Sequence, residues 1–567
     1  MKFASRVHRC VAHREPWPFE KLLKLKEPMS RKRKARRRTV KGMDRSSSAR
    51  QSNQLSFDQL EARNLLATLV VNSTADLPVD LTDSVVTLRD AIEAANNDVL
   101  VAPGGETGNG VDTITFDASV FTGGSSSLIR LNGTELEITE ELTIDGTTGV
   151  GVTITGDASN DDVTDSLNVT NVGASFGGTA GAFNDLLDDN SRVLNFSSAS
   201  GDLTLDGVTV TGGRIMSNNA LIGGVPETTE SGGGIRFASN GLLSINNSVI
   251  SGNSTSGVLG NGGGVFTYLG DLTLTSSTLS GNNTSGSAAL GGGVFTVGGD
   301  LTLTNSTLSG NSTSGFNGDG GGVFAFSGDV SLTDSTLSGS STSGFFSEGG
   351  GVFTSSGDVT LINSTLSGNS TSGAGGSGAG VFTSSGDVSL INSTLSDNST
   401  TGYGAIAGGV RTSTGNVSLV NSTLSGNSTS GDIADGGGIF TDFGDVSLLN
   451  STLSGNSVSG AYAYAGGIRT FSSAVTLTNS TLSGNSTSGT NGLGGGIFTA
   501  YGDVILESST VTGNESALAS GGGVYIVSYN QQPSLLTIEN SIVAGNLSSV
   551  TSSNARDGNE FFLGANV

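Results

Sequence analysis

Cysteine occurs once, at Cys10, which excludes an intrachain disulfide framework. Histidine occurs only at His8 and His13, so no imidazole base or ligand is available beyond the first few turns of chain. Lysine stops at Lys41. Residues 1–63 hold 18 Lys+Arg against 6 Asp+Glu, whereas the remaining 504 hold 8 Arg and 44 acids. A lysine-free, acidic body repels nucleic acid and anionic membranes, which argues against both as partners of that body. Long hydrophobic runs are also missing. The best near the N-terminus, Leu65–Val71, is short and contains Thr68, so neither a conventional signal peptide nor a transmembrane helix is expected. No copy of the repeat described below shows a 3.6-residue apolar stripe, which argues against a helical architecture.

What is abundant is glycine, 89 residues of it, in a chain only 13% charged. Most of it belongs to one phrase written eleven times, as in GGGVFTVGGDLTLTNSTLSGNSTSG (Gly291–Gly315). The aliphatic residue after the glycines falls at Ile235, Val265, Val294, Val323, Val352, Val381, Val410, Ile439, Ile468, Ile497 and Val524. Every step from Val265 to Ile497 is 29 residues; the first step is 30 and the last 27. A fixed period means one small unit stacked on copies of itself. Within a copy the apolar residues alternate, as at Leu301 and Leu303 or Val330 and Leu332, and Leu337 and its equivalents mark a second short strand. Gly-Asp, Asn-Ser and Ser-Gly-Asn between them are turn chemistry. The reading is all-β: a right-handed parallel β-helix with three strands and three bends per 29-residue coil, in which Val330, Leu332 and Leu337 point inward. A leucine-rich solenoid lacks its L-x-x-L-x-L order here, and a propeller blade needs a longer period.

Two polar columns share the same period. One reads Asn253, Asn282, Asn311, Ser340, Asn369, Asn398, Asn427, Asn456, Asn485, Asn514 and Asn546. The other, from Asn247 through Asn305 and Asn363 to Asn540, precedes each Ser-Thr-Leu. Both are expected to be structural ladders, since Asn tolerates left-handed backbone and stacked amides bond from coil to coil.

The chain divides by composition into a basic, disordered segment at 1–54, a short motif at 55–67, a cap with irregular coils at 68–231, regular repeats at 232–546 and a tail at 547–567. The basic run Arg31–Lys41 reads as a solvated tail, a nucleic-acid grip or the positive region of an export signal, and Met29 just before it is a plausible start site. Thr87 to Asn96 predicts a helix with Thr87 as N-cap, Asp90 in the capping box, and Leu88, Ala91, Ile92 and Ala95 on its apolar face. That helix is suited to cover the raw end of the stack. Insertions around Asp185–Asn190 and Met216–Thr229 are expected to project as loops. The tail either folds over the last coil or marks a truncation.

LSFDQLEARNLLA (Leu55–Ala67) resembles the LEPR-XLL motif of very large bacterial surface and secreted proteins: Leu60, Glu61, Arg63, Leu65 and Leu66 match, and Ala62 stands where the family has proline. TLRDAIEAANN, VDTITFD and LTIDG, with the repeats downstream, resemble bacterial β-helix surface proteins of the polymorphic outer-membrane-protein type. The resemblance implies a pectin-lyase-like solenoid, outer-membrane or extracellular, displayed on the bacterial cell surface as an adhesin or structural stalk. Its partner would be a surface polysaccharide or protein ligand, with self-association along the solenoid as a further option.

Enzymes occur among related β-helices, so a polysaccharide lyase or hydrolase is the alternative. A lyase needs a basic residue and cations against uronate carboxylates. The body offers no Lys and only the scattered Arg89, Arg130, Arg192, Arg214, Arg236, Arg411, Arg469 and Arg556. Its repeated Asp residues recur from coil to coil, whereas an active site is a departure from the repeat, and the reading is therefore non-enzymatic, with no catalytic residues and no cofactor. Two columns are candidate sites. Asp271, Asp300, Asp329, Asp358, Asp387, Asp445 and Asp503 share one register, where calcium could bridge stacked carboxylates or where exposed Asp simply closes a turn. Arg236, Phe266, Phe295, Phe324, Phe353, Phe382, Arg411, Phe440, Arg469, Phe498 and Tyr525 each come directly after the inward aliphatic residue and so point outward. They form either an exposed binding strip or a stack covered by the Ser-Thr-Ser-Gly loops.

Overall fold

The structure, a computed structural model, describes residues 67–108, 110–157, 191–215, 231–517, 521–528 and 534–548 and the backbone of Glu560–Leu563. The chain divides into Met1–Arg63 and Asn64–Val567, and every described residue belongs to the second unit. The basic segment, residues 55–66 of the motif, both insertions and most of the tail lie outside the described residues.

The body is a parallel β-solenoid. The coil that begins at Val294 shows how its sequence becomes structure. Val294–Val297, Leu301–Thr304, Thr307–Ser309 and Ser312–Thr313 are its strands. Each pairs in parallel with its counterpart 29 residues on: Val294 with Val323, Leu301 with Val330, Thr307 with Thr336, Ser312 with Ser341. There are thus four strands per coil where three were expected. The two-residue Ser-Thr strand leaves no apolar alternation to read, because its inward side chain is a threonine hydroxyl.

The alternating residues face inward as predicted. Val330, Leu332 and Leu337 are fully buried, and their equivalents join one continuous core from Leu69 to Val543. Dry, uncharged and in register, that core fixes the pairing, because a one-residue slip would turn every leucine to solvent. The single 30-residue step is absorbed by a bulge. Ile235 pairs with Val265, but Leu242 already pairs with Asp271, and the extra residue lies between Ser239 and Leu242.

The bends are held by side-chain ladders. Asn305, Asp334, Asn363 and their equivalents have φ near +50°, the left-handed conformation that Asn and Asp tolerate. The next serine in the chain accepts the backbone N–H of its predecessor one coil earlier, as Ser393 Oγ does from Ser364 at 3.0 Å. At the next bend the left-handed residue is not the asparagine, as expected, but the residue before it. Gly310 and Gly368 have φ of 61° and 64°, and Asp397 has 57°. The asparagines Asn311, Asn369 and Asn398 are themselves fully buried. Glycine carries the strained backbone, which frees the amide to turn inward and bond along the stack.

At the N-terminal end a nine-residue helix, α1 (Leu88–Asn96), has its Thr87 capping box with Asp90. Leu88, Ala91, Ile92, Ala94 and Ala95 are buried against the first strands, which include Thr68–Val71 and Leu136–Ile138. At the other end Glu560–Leu563 pairs antiparallel with Val524–Val527, so this part of the tail folds back onto the last coils. Among the described residues no helix is long and apolar enough to cross a membrane.

Candidate functional site

The residues after each aliphatic anchor do turn away from the core, yet they do not form an exposed strip. Phe266, Phe295, Phe324, Phe353, Phe382, Phe440, Phe498 and Tyr525 are all buried, the most open of them only 7% exposed. Of the two alternatives, an exposed strip or a covered stack, the course of the loops matches the second. Each coil's Ser-Thr-Ser-Gly loop returns across the ring before reaching the next Gly-Gly-Gly run. Glu348, Ser377, Ile406, Asp435, Tyr464 and Leu493 pair in parallel down that returning segment. Tyr464 and Leu493 pack directly on the cluster of Phe498 and Tyr525. Under this cover the rings stack on one another, with centroids 5.5, 5.2, 4.6 and 5.0 Å apart from Phe266 to Phe382. Such pairs add about 0.5–1.5 kcal/mol each beyond their burial. The column is a second, aromatic core.

Arginine interrupts it twice. Arg411 lies between Phe382 and Phe440, 5.0 and 5.7 Å from their centroids. Arg469 lies 5.3 Å from Phe440, 5.4 Å from Phe498 and 4.6 Å from Tyr464. Both cations are met by acids that depart from the repeat. Arg411 lies 3.9 Å from both Glu348 and Asp442 and donates to Ser377 Oγ at 2.6 Å, while Arg469 is paired with Asp435. Burial pushes the Asp435 carboxyl up to about 6, against the lowering pull of Arg469. Arg236 ends the column differently, donating to Asn195 Oδ1 at 2.9 Å beside the Arg192–Glu135 pair at 2.6 Å. Burial lowers Arg192 to about 10.

The aspartate column is exposed and single-file, and it has another partner than a metal. The Oδ1 of Asp271, Asp300, Asp329 and Asp358 accepts the backbone N–H of the equivalent residue one coil on, at 2.8–2.9 Å. Asp387 gives the same bond to Asn416, Asp445 to Ala474 and Asp503 to Leu535. Asn416 itself serves as acceptor for Asp445 at 3.0 Å. One carboxylate per coil, half-committed to an amide, is a poor match for the six to eight oxygens calcium takes. Among the described residues no three His, Cys, Asp or Glu gather as a metal site. The bonds along the column match the alternative of exposed Asp closing a turn.

Exposed aromatics lie elsewhere: Phe443 and Tyr501 in the turns before Gly444 and Gly502, and a larger group at the tips of the returning loops. The residue after each Ser-Thr-Ser-Gly reads Val258, Ser287, Phe316, Phe345, Ala374, Tyr403, Asp432, Ala461 and Thr490. Phe316 is 50% exposed, Phe345 61% and Tyr403 64%; of the next position, Phe346 is 48% and Tyr462 51%. The tips are rigidly laddered. Asn317 N–H donates to Phe345 O at 3.0 Å, Phe346 to Ala374 O at 2.9 Å and Gly375 to Tyr403 O at 2.8 Å. The glycine before each tip permits this approach. A Cβ on Gly344 would lie 1.8 Å from Gly315 O, and one on Gly373 only 1.6 Å from Gly344 O. Phe346 adopts φ +56° although bulky, and its ring lies over Gly375 of the next coil. Such strain persists only where surrounding structure over-determines it. Sequence reasoning treated these loops as cover for the inner rings. The signal was present in the recurrence of Phe316, Phe345 and Tyr403 at multiples of 29.

No protein-family model matches the chain, and no curated protein does. The two family resemblances therefore rest on the residues quoted for them. Two solved structures align with it. The A-module of the mannuronan C-5 epimerase AlgE4 of Azotobacter vinelandii is 11% identical, over 84% of this chain and 98% of that one, with a TM-score of 0.33. PfbA, a surface adhesin of Streptococcus pneumoniae, is 10% identical, over 84% and 95%, with a TM-score of 0.25. At these values neither likeness carries its protein's activity to this chain.

Proposed function

We propose that the protein is a non-enzymatic binding scaffold of the bacterial cell surface, an adhesin whose contact surface is the row of loop tips. The observation that carries this reading is the exposure of Phe316, Phe345, Phe346, Tyr403 and Tyr462 on one rigid edge. Large rings about half in solvent add little to the core, and a row of them along one edge of a folded body marks a contact surface. The coils beneath are nearly identical, so variation is concentrated where contact would occur. Replacing Phe316, Phe345 and Tyr403 together by Ser should abolish attachment of the full chain to its target cells while leaving the melting midpoint within about 2 °C, as expected for surface changes. Retained attachment would remove the ridge from the function.

A second reading, a polysaccharide-active enzyme, is favoured by one observation: Asp435, Arg469 and Tyr464 form a coil-specific acid, cation and phenol. Incubation with acidic polysaccharides, with reducing ends and unsaturated products as readouts, tests it; product formation lost in Asp435→Asn would favour it.

A further inference from the structure

We infer that the ridge takes an uncharged, extended β-linked polysaccharide laid along the solenoid axis, with rings of the protein two coils apart from Phe345 through Tyr403 to Tyr462. This rests on the binding reading above and adds the class of ligand. The first argument is spacing. Phe345 and Tyr403 are 58 residues apart, two whole coils, and Tyr462 lies two coils further, one residue past the equivalent position. Two coils rise roughly 10 Å. Two sugar rings of a flat β-linked chain repeat over a similar distance, so alternate sugars would meet a ring. The intervening coil has the small pair Ala374 and Gly375 at its tip, with the Phe346 ring lying across it. That ring is 48% exposed although the chain packs beneath it, which leaves surface open to a sugar.

The second argument is charge. In the two tip positions of all nine loops, from Val258–Leu259 to Thr490–Asn491, Asp432 is the one charged residue. The neighbouring cations Arg411 and Arg469 are already committed to Glu348, Asp442 and Asp435 beneath the loops. A uronate or sulfated polymer would need guanidinium or ammonium groups at the contact, and the body around it is acidic. A neutral sugar needs rings and hydroxyls. The residue before each loop glycine supplies the latter: Ser256, Ser285, Ser314, Ser343, Ser372 and Thr401 are all exposed. They set a row of donors and acceptors beside the rings, one per coil.

The test is co-sedimentation of the full chain with insoluble cellulose and chitin, with alginate and polygalacturonate gels alongside. Wild type should be retained on at least one neutral β-linked polymer, with little change between low and high salt. Phe345→Ser, Tyr403→Ser and Tyr462→Ser combined should weaken retention about tenfold or more, as loss of central aromatic anchors does. A variant that keeps the number of rings but breaks their spacing, Tyr403→Ala with Ala374→Tyr, should weaken it comparably if spacing is what is read. Retention only on acidic polymers, or on none, would overturn the ligand class. If the triple Ser variant still lost cell attachment in that case, the binding reading would stand and its ligand would be a protein; if attachment survived, both would fall. Equal retention of the respaced variant would overturn the two-coil match.

Discussion

Asn398 makes two bonds to one atom: its side-chain amide and its backbone N–H both donate to Asn427 Oδ1, at 2.9 and 3.0 Å. Asn427 repeats the arrangement with Asn456, and Asn456 with Asn485. In a fully buried column each amide oxygen therefore satisfies two donors of the preceding coil, which would otherwise be orphaned at about 1–3 kcal/mol apiece. Asn427→Ala should lower stability by about 2–4 kcal/mol, measured by chemical denaturation. The natural exception gives the converse. Ser340 is too short to reach, and its buried Oγ has no partner. Ser340→Asn should raise the thermal midpoint, because Gly322 leaves the same room there that Gly351 leaves beside Asn369.

The aspartate column predicts indifference to calcium. The thermal midpoint should be the same with and without a chelator, since each Oδ1 already accepts an amide. Asp358→Asn should be neutral or slightly stabilising, more so at low salt, because Asn416 fills that role naturally and the change removes like charges about 5 Å apart. Asp358→Ala should cost about 0.5–1.5 kcal/mol, the worth of the bond to Asp387 N–H. A chelator-dependent melt would restore the metal.

Asp435 gives a pH signature. Its carboxyl is raised to about 6 in the folded protein, against about 3.9 in the unfolded chain. The folded state then holds the proton more tightly, so the contribution of this group to stability is complete below pH 4. It declines as pH rises from about 4 to about 6 and is level above that. Arg469, Arg411, Asp442 and Tyr464 are the ionisable groups around it. The difference in midpoint between wild type and Asp435→Asn, measured from pH 4 to 8, should change across that window and be flat above it.

Leu366→Asp should unfold at least its own coil and those beside it. Leu366 is fully buried and pairs with Leu395 in the next coil, so the carboxylate would have no water and no cation. Such a change costs about 3–5 kcal/mol, and limited proteolysis should cut near the site while distant coils stay protected.

The solenoid was legible in the sequence because its determinants repeat. Leu303, Leu332 and Leu361 recur in one register, and even the odd 30-residue step had a structural counterpart in the bulge at Ser239–Leu242. The helix Leu88–Asn96 could be read from its Thr87–Asp90 capping box and the apolar spacing of Leu88, Ala91, Ile92 and Ala95. Which rings stay exposed could not. Alternation correctly turned Phe324 away from the leucines, but alternation is a local rule and says nothing about which segment later crosses over a residue. The cover comes from the loop segment that precedes each Gly-Gly-Gly run, as Tyr464 lies against Arg469 and Phe498, and that segment has no period-two pattern and is glycine-rich so that it can lie close to its neighbours. The same glycine stack turned Phe345 and Tyr403 outward, a consequence visible only when the coils are placed on one another.

The ladders also bear on how such a chain can change its length. From Val265 to Ile497 the donors at the bends, the coil that faces Ser340 apart, meet acceptors offset by one period, as Ser364 meets Ser393 and Asn369 meets Asn398. Excising or duplicating 29 residues between any two matching points joins the same donors to the same acceptors, and no junction is left unsatisfied. Tandem gain or loss of coils is therefore chemically silent within the core. Outside it the change is not silent, since one added coil shifts every ring beyond it by half of the two-coil spacing. Length variation would leave the fold untouched and reset the spacing of the exposed rings along the edge.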